Sequence, residues 1–69
     1  MQTFELNEND YIELCSLLKL IGITGSGGIA KMLIADGQVL VDGEIELRKR
    51  CKIRRGQTVE CMEETIEVV

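Results

Sequence analysis

The sequence predicts an α+β fold, two helices followed by a run of short strands, and three observations carry that prediction. The chain has 69 residues, a length for one domain. Between Leu14 and Ile34 apolar residues recur at helical spacing. After Gly37 the period drops to two, and turn residues cut the remainder into strand-length pieces.

Residues 3–6, TFEL, alternate and predict a short strand. Asn7, Asn9 and Asp10 are N-cap candidates for a first helix. Leu14, Leu17, Leu18 and Ile21 then follow at i, i+3, i+4, i+7, and Gly22 is a suitable terminator. The first helix is therefore expected over 9–21. The connection is ITGSGG, where Ser26 can cap a second helix. Ile29, Ala30, Leu33 and Ile34 repeat the stripe, and Gly37 ends it. Such a pair is a helix hairpin or a helix-turn-helix.

QVLV then runs into Asp42-Gly43, a dipeptide favoured in tight hairpins. EIEL leads into a basic run, and Gly56-Gln57 makes the next turn. TVECM, a Glu63-Glu64 turn and TIEVV complete a β-hairpin. The expected order is β-α-α-β-β-β-β in one unit spanning 1–69, with no linker and no proline.

Composition excludes several function classes. At 45% apolar the chain can bury enough surface to fold. No apolar run reaches the roughly 18 residues of a membrane span. The start, MQTFELNEND, is acidic and lacks the pattern of a signal peptide. A cytoplasmic location away from membranes is expected. Cys15, Cys51 and Cys61 are odd in number, no CxxC occurs, and there is no histidine. A disulfide framework and a zinc site are therefore not expected. The thiols read as small reduced hydrophobes, although the cations around Cys51 can lower its pKa. No nucleophile stands beside a base, so no catalytic residue, metal or cofactor is assigned and the chain reads as a non-enzyme.

Charge is the informative feature. The chain has a net charge of −4, yet six of its eight lysines and arginines lie within residues 48–55. These are Arg48, Lys49, Arg50, Lys52, Arg54 and Arg55 in the stretch ELRKRCKIRRG. Beyond a Debye length of about 8 Å the distant acids are largely screened, so the run acts on its surroundings as a cation. If it is extended, Leu47, Cys51 and Ile53 share one face, and Arg48, Arg50, Lys52 and Arg54 the other. Alternate residues stand about 6.6 Å apart, giving a ladder of cations about 20 Å long. That geometry suits a polyanion, because each guanidinium can fork onto a phosphate. Lys49 falls out of phase, which predicts a bulge or loop beside it.

The glycine turn is a second, weaker anion signal. Amides near Ser26, Gly27 and Gly28 lie at the positive end of the second helix, with Lys31 one turn on. It is not a nucleotide-binding loop, because no GK[ST] follows. The only phenylalanine and tyrosine are Phe4 and Tyr11, so no platform for stacking bases is expected.

The stretch LCSLLKLIGITGSGGIAKMLIADGQVLVDGEIELRKRCKIRRGQTV resembles the RNA-binding domain named after ribosomal small-subunit protein four, also called the alpha-L fold. Within it, the likeness is to stand-alone YbcJ-like bacterial proteins. It covers about residues 12–68 and rests on a combination: Ser26, Ala30-Lys31, Ile34, Gly37, Val39, Val41, Gly43, Arg48-Lys49 and Gly56-Gln57. The resemblance implies a two-helix hairpin packed on a small, mostly antiparallel sheet of short strands. It implies a protein that binds structured RNA, ribosomal or transfer RNA, or assists ribosome assembly; a monomer is expected. It puts Ser26, Gly27, Gly28 and Lys31 on one side of the RNA site and Arg48, Lys49, Arg50 and Lys52 on the other. Two positions depart from the family: Gly27 stands where an arginine is common, and Asp42-Gly43 where Asn-Gly is usual. Both lower the positive charge.

Two other readings compete. One is a protein-interaction module whose basic strand docks on an acidic partner. The other is a DNA-binding helix-turn-helix, which is weak because IAKMLIAD carries one lysine and one acid.

Overall fold

The computed structural model describes residues 2–69. The elements are β1 (Gln2–Phe4), β2 (Ile12–Glu13), α1 (Leu14–Leu20), α2 (Gly27–Ala35), β3 (Val39–Val41), β4 (Glu44–Ile45), β5 (Lys52–Ile53), β6 (Thr58–Cys61) and β7 (Glu64–Val68). The α+β expectation holds: α1 and α2 pack on each other, and the main sheet has the order β1-β7-β6-β3-β4. Its pairs are antiparallel except β1 with β7, which run parallel. A separate two-stranded ribbon joins β2 to β5.

Glycine shapes both helix ends. Gly22 sits at φ +82 after α1, and Gly37 at φ +76 after α2, where a left-handed residue is required. After α2 the amide of Gly37 donates to Ile34 and that of Gln38 to Leu33, at 3.1 and 3.0 Å. These two bonds form the Schellman closure of a helix.

The first helix is shorter than the expected 9–21. Residues 9–13 are not helical, and Asn7, Asn9 and Asp10 do not cap it. Instead Asn9 folds back on Leu6, its backbone and side-chain amides donating to the Leu6 carbonyl at 3.0 and 3.1 Å. Ile12 and Glu13 then pair with Ile53 and Lys52. The N-cap Glu13 makes no side-chain cap. The opening amides of α1 are satisfied by distant carbonyls: Leu14 donates to Cys51 at 2.9 Å and Cys15 to Lys49 at 3.1 Å.

The hairpin turns follow local chemistry with one shift. Asp42 and Gly43 lie at φ 52 and 84, the primed turn that suits twisted strands. The second tight turn is Met62-Glu63, at φ 51 and 67, one residue earlier than the expected Glu63-Glu64. Cys61 pairs with Glu64, so the sheet register holds two non-glycine residues in the left-handed region.

One apolar cluster joins the helices to the sheet. Leu14, Leu17, Leu18, Ile34, Val39 and Ile66 are fully buried in it. Ile53 is also fully buried, so the ribbon is anchored to the same core. Cys15 and Cys61 are buried in it as free thiols.

Candidate nucleic-acid interface

The basic run does not form the predicted ladder. Only Lys52 and Ile53 are strand, and residues 46–51 form a loop with a turn at 49–50. The amide of Cys51 closes that turn on Arg48 at 3.2 Å. The cause lies in α1, whose amides at Leu14 and Cys15 draw in the carbonyls of Cys51 and Lys49. A loop near Lys49 was expected from its phase, but an inward Leu47 was not found. Leu47 is 59% exposed, whereas Cys51 is half-buried and Ile53 buried.

This bend gathers the cations. Arg48, Arg50, Cys51 and Lys52 line one open cleft of about 420 Å³. Lys49 is exposed beside it. Among the described residues Lys49, Arg50 and Lys52 form no ion pair.

Arg48 is partly engaged already. Its Nε and Nη2 donate to the two oxygens of Glu46 at 2.9 and 3.0 Å, and its backbone amide donates to Glu46 at 3.0 Å. These hydrogen bonds hold the Glu46 carboxyl down at about 2. The Arg48 side chain remains 77% exposed, so it can still meet a ligand. The Cys51 thiol is pushed up by burial first and by Glu46 second. The lowering expected from neighbouring cations is therefore overturned, and this thiol is held in its neutral form.

The outer end of the run is tied elsewhere. Arg55 donates to the carbonyl of Asn7, and the Arg54 amide donates to Gln57 at 2.8 Å. Lys52 and Arg54 both lie over the ring of Tyr11, with Nζ and Cζ 5.0 and 5.7 Å from its centroid. This aromatic contact is invisible in the sequence, because it depends on pairing β2 with β5 across some forty residues.

The second predicted group sits at the start of α2. Ser26 caps it as expected, with Oγ accepting from the Ile29 amide at 3.3 Å. Thr24 Oγ1 braces the turn by donating to the Ser26 carbonyl at 3.1 Å. Lys31 is half-buried one turn on. A Cβ on Gly27 would meet nothing within 4 Å, so that glycine is a vacancy in side chain and not a steric need. Among the described residues no hydrogen bond links Ser26, Gly27, Gly28 or Lys31 to residues 48–52. The two groups connect through α1, which packs on α2 and holds the basic loop by its first two amides.

The departure at Asp42 has a structural use. Its carboxylate accepts from the Thr58 amide at 2.9 Å and from Gln57 at 3.1 Å. These bonds hold its pKa below the usual carboxylate range, the Thr58 amide first. Among the described residues no group of three or more His, Cys, Asp or Glu side chains is placed to hold a metal ion. No described helix is long and apolar enough to cross a membrane.

The S4 domain model matches residues 4–69. The chain belongs to the S4 domain family. Among S4 relatives, YbcJ of Escherichia coli (strain K12) is 54% identical over 69 residues, covering 100% of this chain and 99% of that protein. YbcJ of Shigella flexneri matches at the same identity and coverage. The solution structure of Escherichia coli YbcJ, described as revealing an alpha-L motif involved in RNA binding, superposes with a TM-score of 0.77. That match covers 100% of this chain and 87% of the other. The 30S ribosomal protein S4e of Thermoplasma acidophilum shares the S4 fold, at a TM-score of 0.64 and 24% identity. It is matched over 84% of this chain and 31% of that one.

Proposed function

We propose that this S4-family protein is a non-catalytic binder of structured RNA, of the ribosomal or transfer class or an intermediate of ribosome assembly. The observation that carries this reading is the cleft of Arg48, Arg50 and Lys52 on an S4 scaffold. The relative whose alpha-L motif is described as involved in RNA binding supports it. In this reading Arg48, Lys49, Arg50 and Lys52 neutralise phosphates of the RNA backbone. The open amides of Gly27 and Gly28, with Ser26 and Lys31, hold a further phosphate at the positive end of α2. The cations of this cleft suit contacts to the RNA backbone, which position the nucleic acid. The 69 residues act as one RNA-binding unit, a monomer in the cytoplasm with no membrane partner.

The test is fluorescence anisotropy with a folded ribosomal RNA fragment, a single-stranded RNA and a duplex DNA. The folded RNA is expected to bind best, by about tenfold or more. Equal and weak binding to all three would refute the reading and point to an acidic protein partner.

A further inference from the structure

A second open cleft includes Tyr11 in its lining. Its volume is about 500 Å³, within the range of small-ligand sites. Phe4, Ile12 and Leu20 give it apolar walls, and the ring of Tyr11, 40% exposed, stands at its edge. Lys52 and Arg54 sit over that same ring. Extending the pairing of Ile12 with Ile53 places Tyr11 opposite Arg54 on the outer face of the ribbon. The cleft therefore meets the cation surface at one aromatic side chain.

We propose that this cleft takes a single unpaired nucleobase of the bound RNA, guanine in preference to uracil. The inference rests on the RNA-binding reading and names what the phosphate contacts leave open, the part of the RNA that is selected. An aromatic wall beside cations suits a base with its flanking phosphates, because the π-face takes the base and the cations take the backbone. Exposed cation–π contacts are weak, and a phosphate is the stronger partner for either cation. Lys52 and Arg54 thus swing from the ring to the backbone as the base comes to lie on Tyr11.

The polar groups of the cleft choose the base. Asp10 and Glu13 line it, and carboxylate oxygens accept hydrogen bonds. Asn9 and Ser16 also line it and can both donate and accept, one Asn9 amide hydrogen being already given to the Leu6 carbonyl at 3.1 Å. The two carboxylates tip the balance toward a donor-bearing base edge. Guanine offers N1–H and N2–H side by side, whereas uracil sets one N–H between two carbonyl oxygens that the carboxylates would repel. The same carboxylates keep phosphates out of the cleft, so the backbone stays on the Lys52 and Arg54 side.

Tyr11 is the only tyrosine and there is no tryptophan, so intrinsic fluorescence reports on that ring alone. The experiment titrates the full chain with three hairpin RNAs: fully paired, with one bulged guanine, and with one bulged uracil. The bulged guanine is expected to bind about fivefold to tenfold tighter than the paired hairpin and to quench Tyr11. By anisotropy, Tyr11→Ala should lose that preference and Tyr11→Phe should retain it. Equal binding of all three hairpins to the wild type without quenching would overturn the proposal and leave RNA binding intact. A uracil bulge bound as tightly as guanine would overturn the choice of base edge. Binding of no hairpin would fail the RNA reading itself, and this inference with it.

Discussion

The start of α2 and the basic loop carry the two halves of the proposed surface, and they are built in opposite ways. Around Ser26 the structure is local: a side chain caps the amide three residues on, and Thr24 braces the turn from two residues back. At residues 48–52 the structure is tertiary, since α1 and β2 shape it from some forty residues away. The first region would take its form in almost any helix hairpin. The second exists only in the folded domain. Charge is concentrated in the region that depends on the fold, so affinity and stability should be coupled there and largely separable at α2.

The largest effect expected from breaking this contrast is at Ile53. It is fully buried and sits between Lys52 and Arg54. Ile53→Ala should cost about 2–5 kcal/mol in urea unfolding, from lost transfer energy plus the cavity. RNA affinity should fall with it, because the ribbon that orients Lys52 and Arg54 loses its anchor. Ser26→Ala should cost about 1 kcal/mol as a lost cap and leave the loop's RNA contacts in place. Comparable affinity losses in the two variants, each measured where it remains folded, would erase the distinction.

The Glu46–Arg48 pair gives a smaller effect with a defined pH window. Glu46 is held at about 2 in the folded chain, below the ordinary carboxylate value of about 4.3. Its stabilisation is therefore complete above about pH 4.3 and is lost as the pH falls toward 2. The highly exposed Arg48 leaves the pair screened by solvent, so about 0.5 kcal/mol is expected. Glu46→Gln should lower stability by that amount at pH 7 and flatten the acid limb of the unfolding profile. It should also raise RNA affinity about twofold, by releasing Arg48 from a neighbouring carboxylate.

Gly27→Arg sharpens the comparison from the other side. Its Cβ would enter open space, so the fold should tolerate the change. If the start of α2 faces the RNA, the added charge should steepen the log–log salt dependence by about 1. An unchanged slope would remove that helix end from the interface.

How much of this was legible in the sequence follows the same division. Ser26, Gly37 and Asp42-Gly43 act through neighbours within a few residues, so their roles as cap, terminator and turn could be read directly. The Met62-Glu63 turn was misplaced by one residue, because neither side chain favours a positive φ and the cross-strand register decided the matter. The first helix was overextended for a related reason. The cap candidates Asn7, Asn9 and Asp10 set its start too early, whereas Ile12 and Glu13 pair with Ile53 and Lys52. The charge of the basic run was plain, whereas its shape was not. Glu46 was visible two residues before Arg48, and its ion pair could have been suspected from that spacing. Tyr11 offered no local sign, since its partners come from β5.

The central claim is that the basic loop is the RNA-binding surface. Its most direct test is the salt dependence of folded-RNA affinity for the wild type and for Arg48→Ala/Arg50→Ala/Lys52→Ala. The wild type should show a log–log slope of about −3 to −4, as four or five phosphate contacts imply. The triple variant, checked to be folded, should bind more weakly and lose about two to three units of that slope. A folded variant that keeps both the affinity and the slope of the wild type would contradict the account and move the site elsewhere on the molecule.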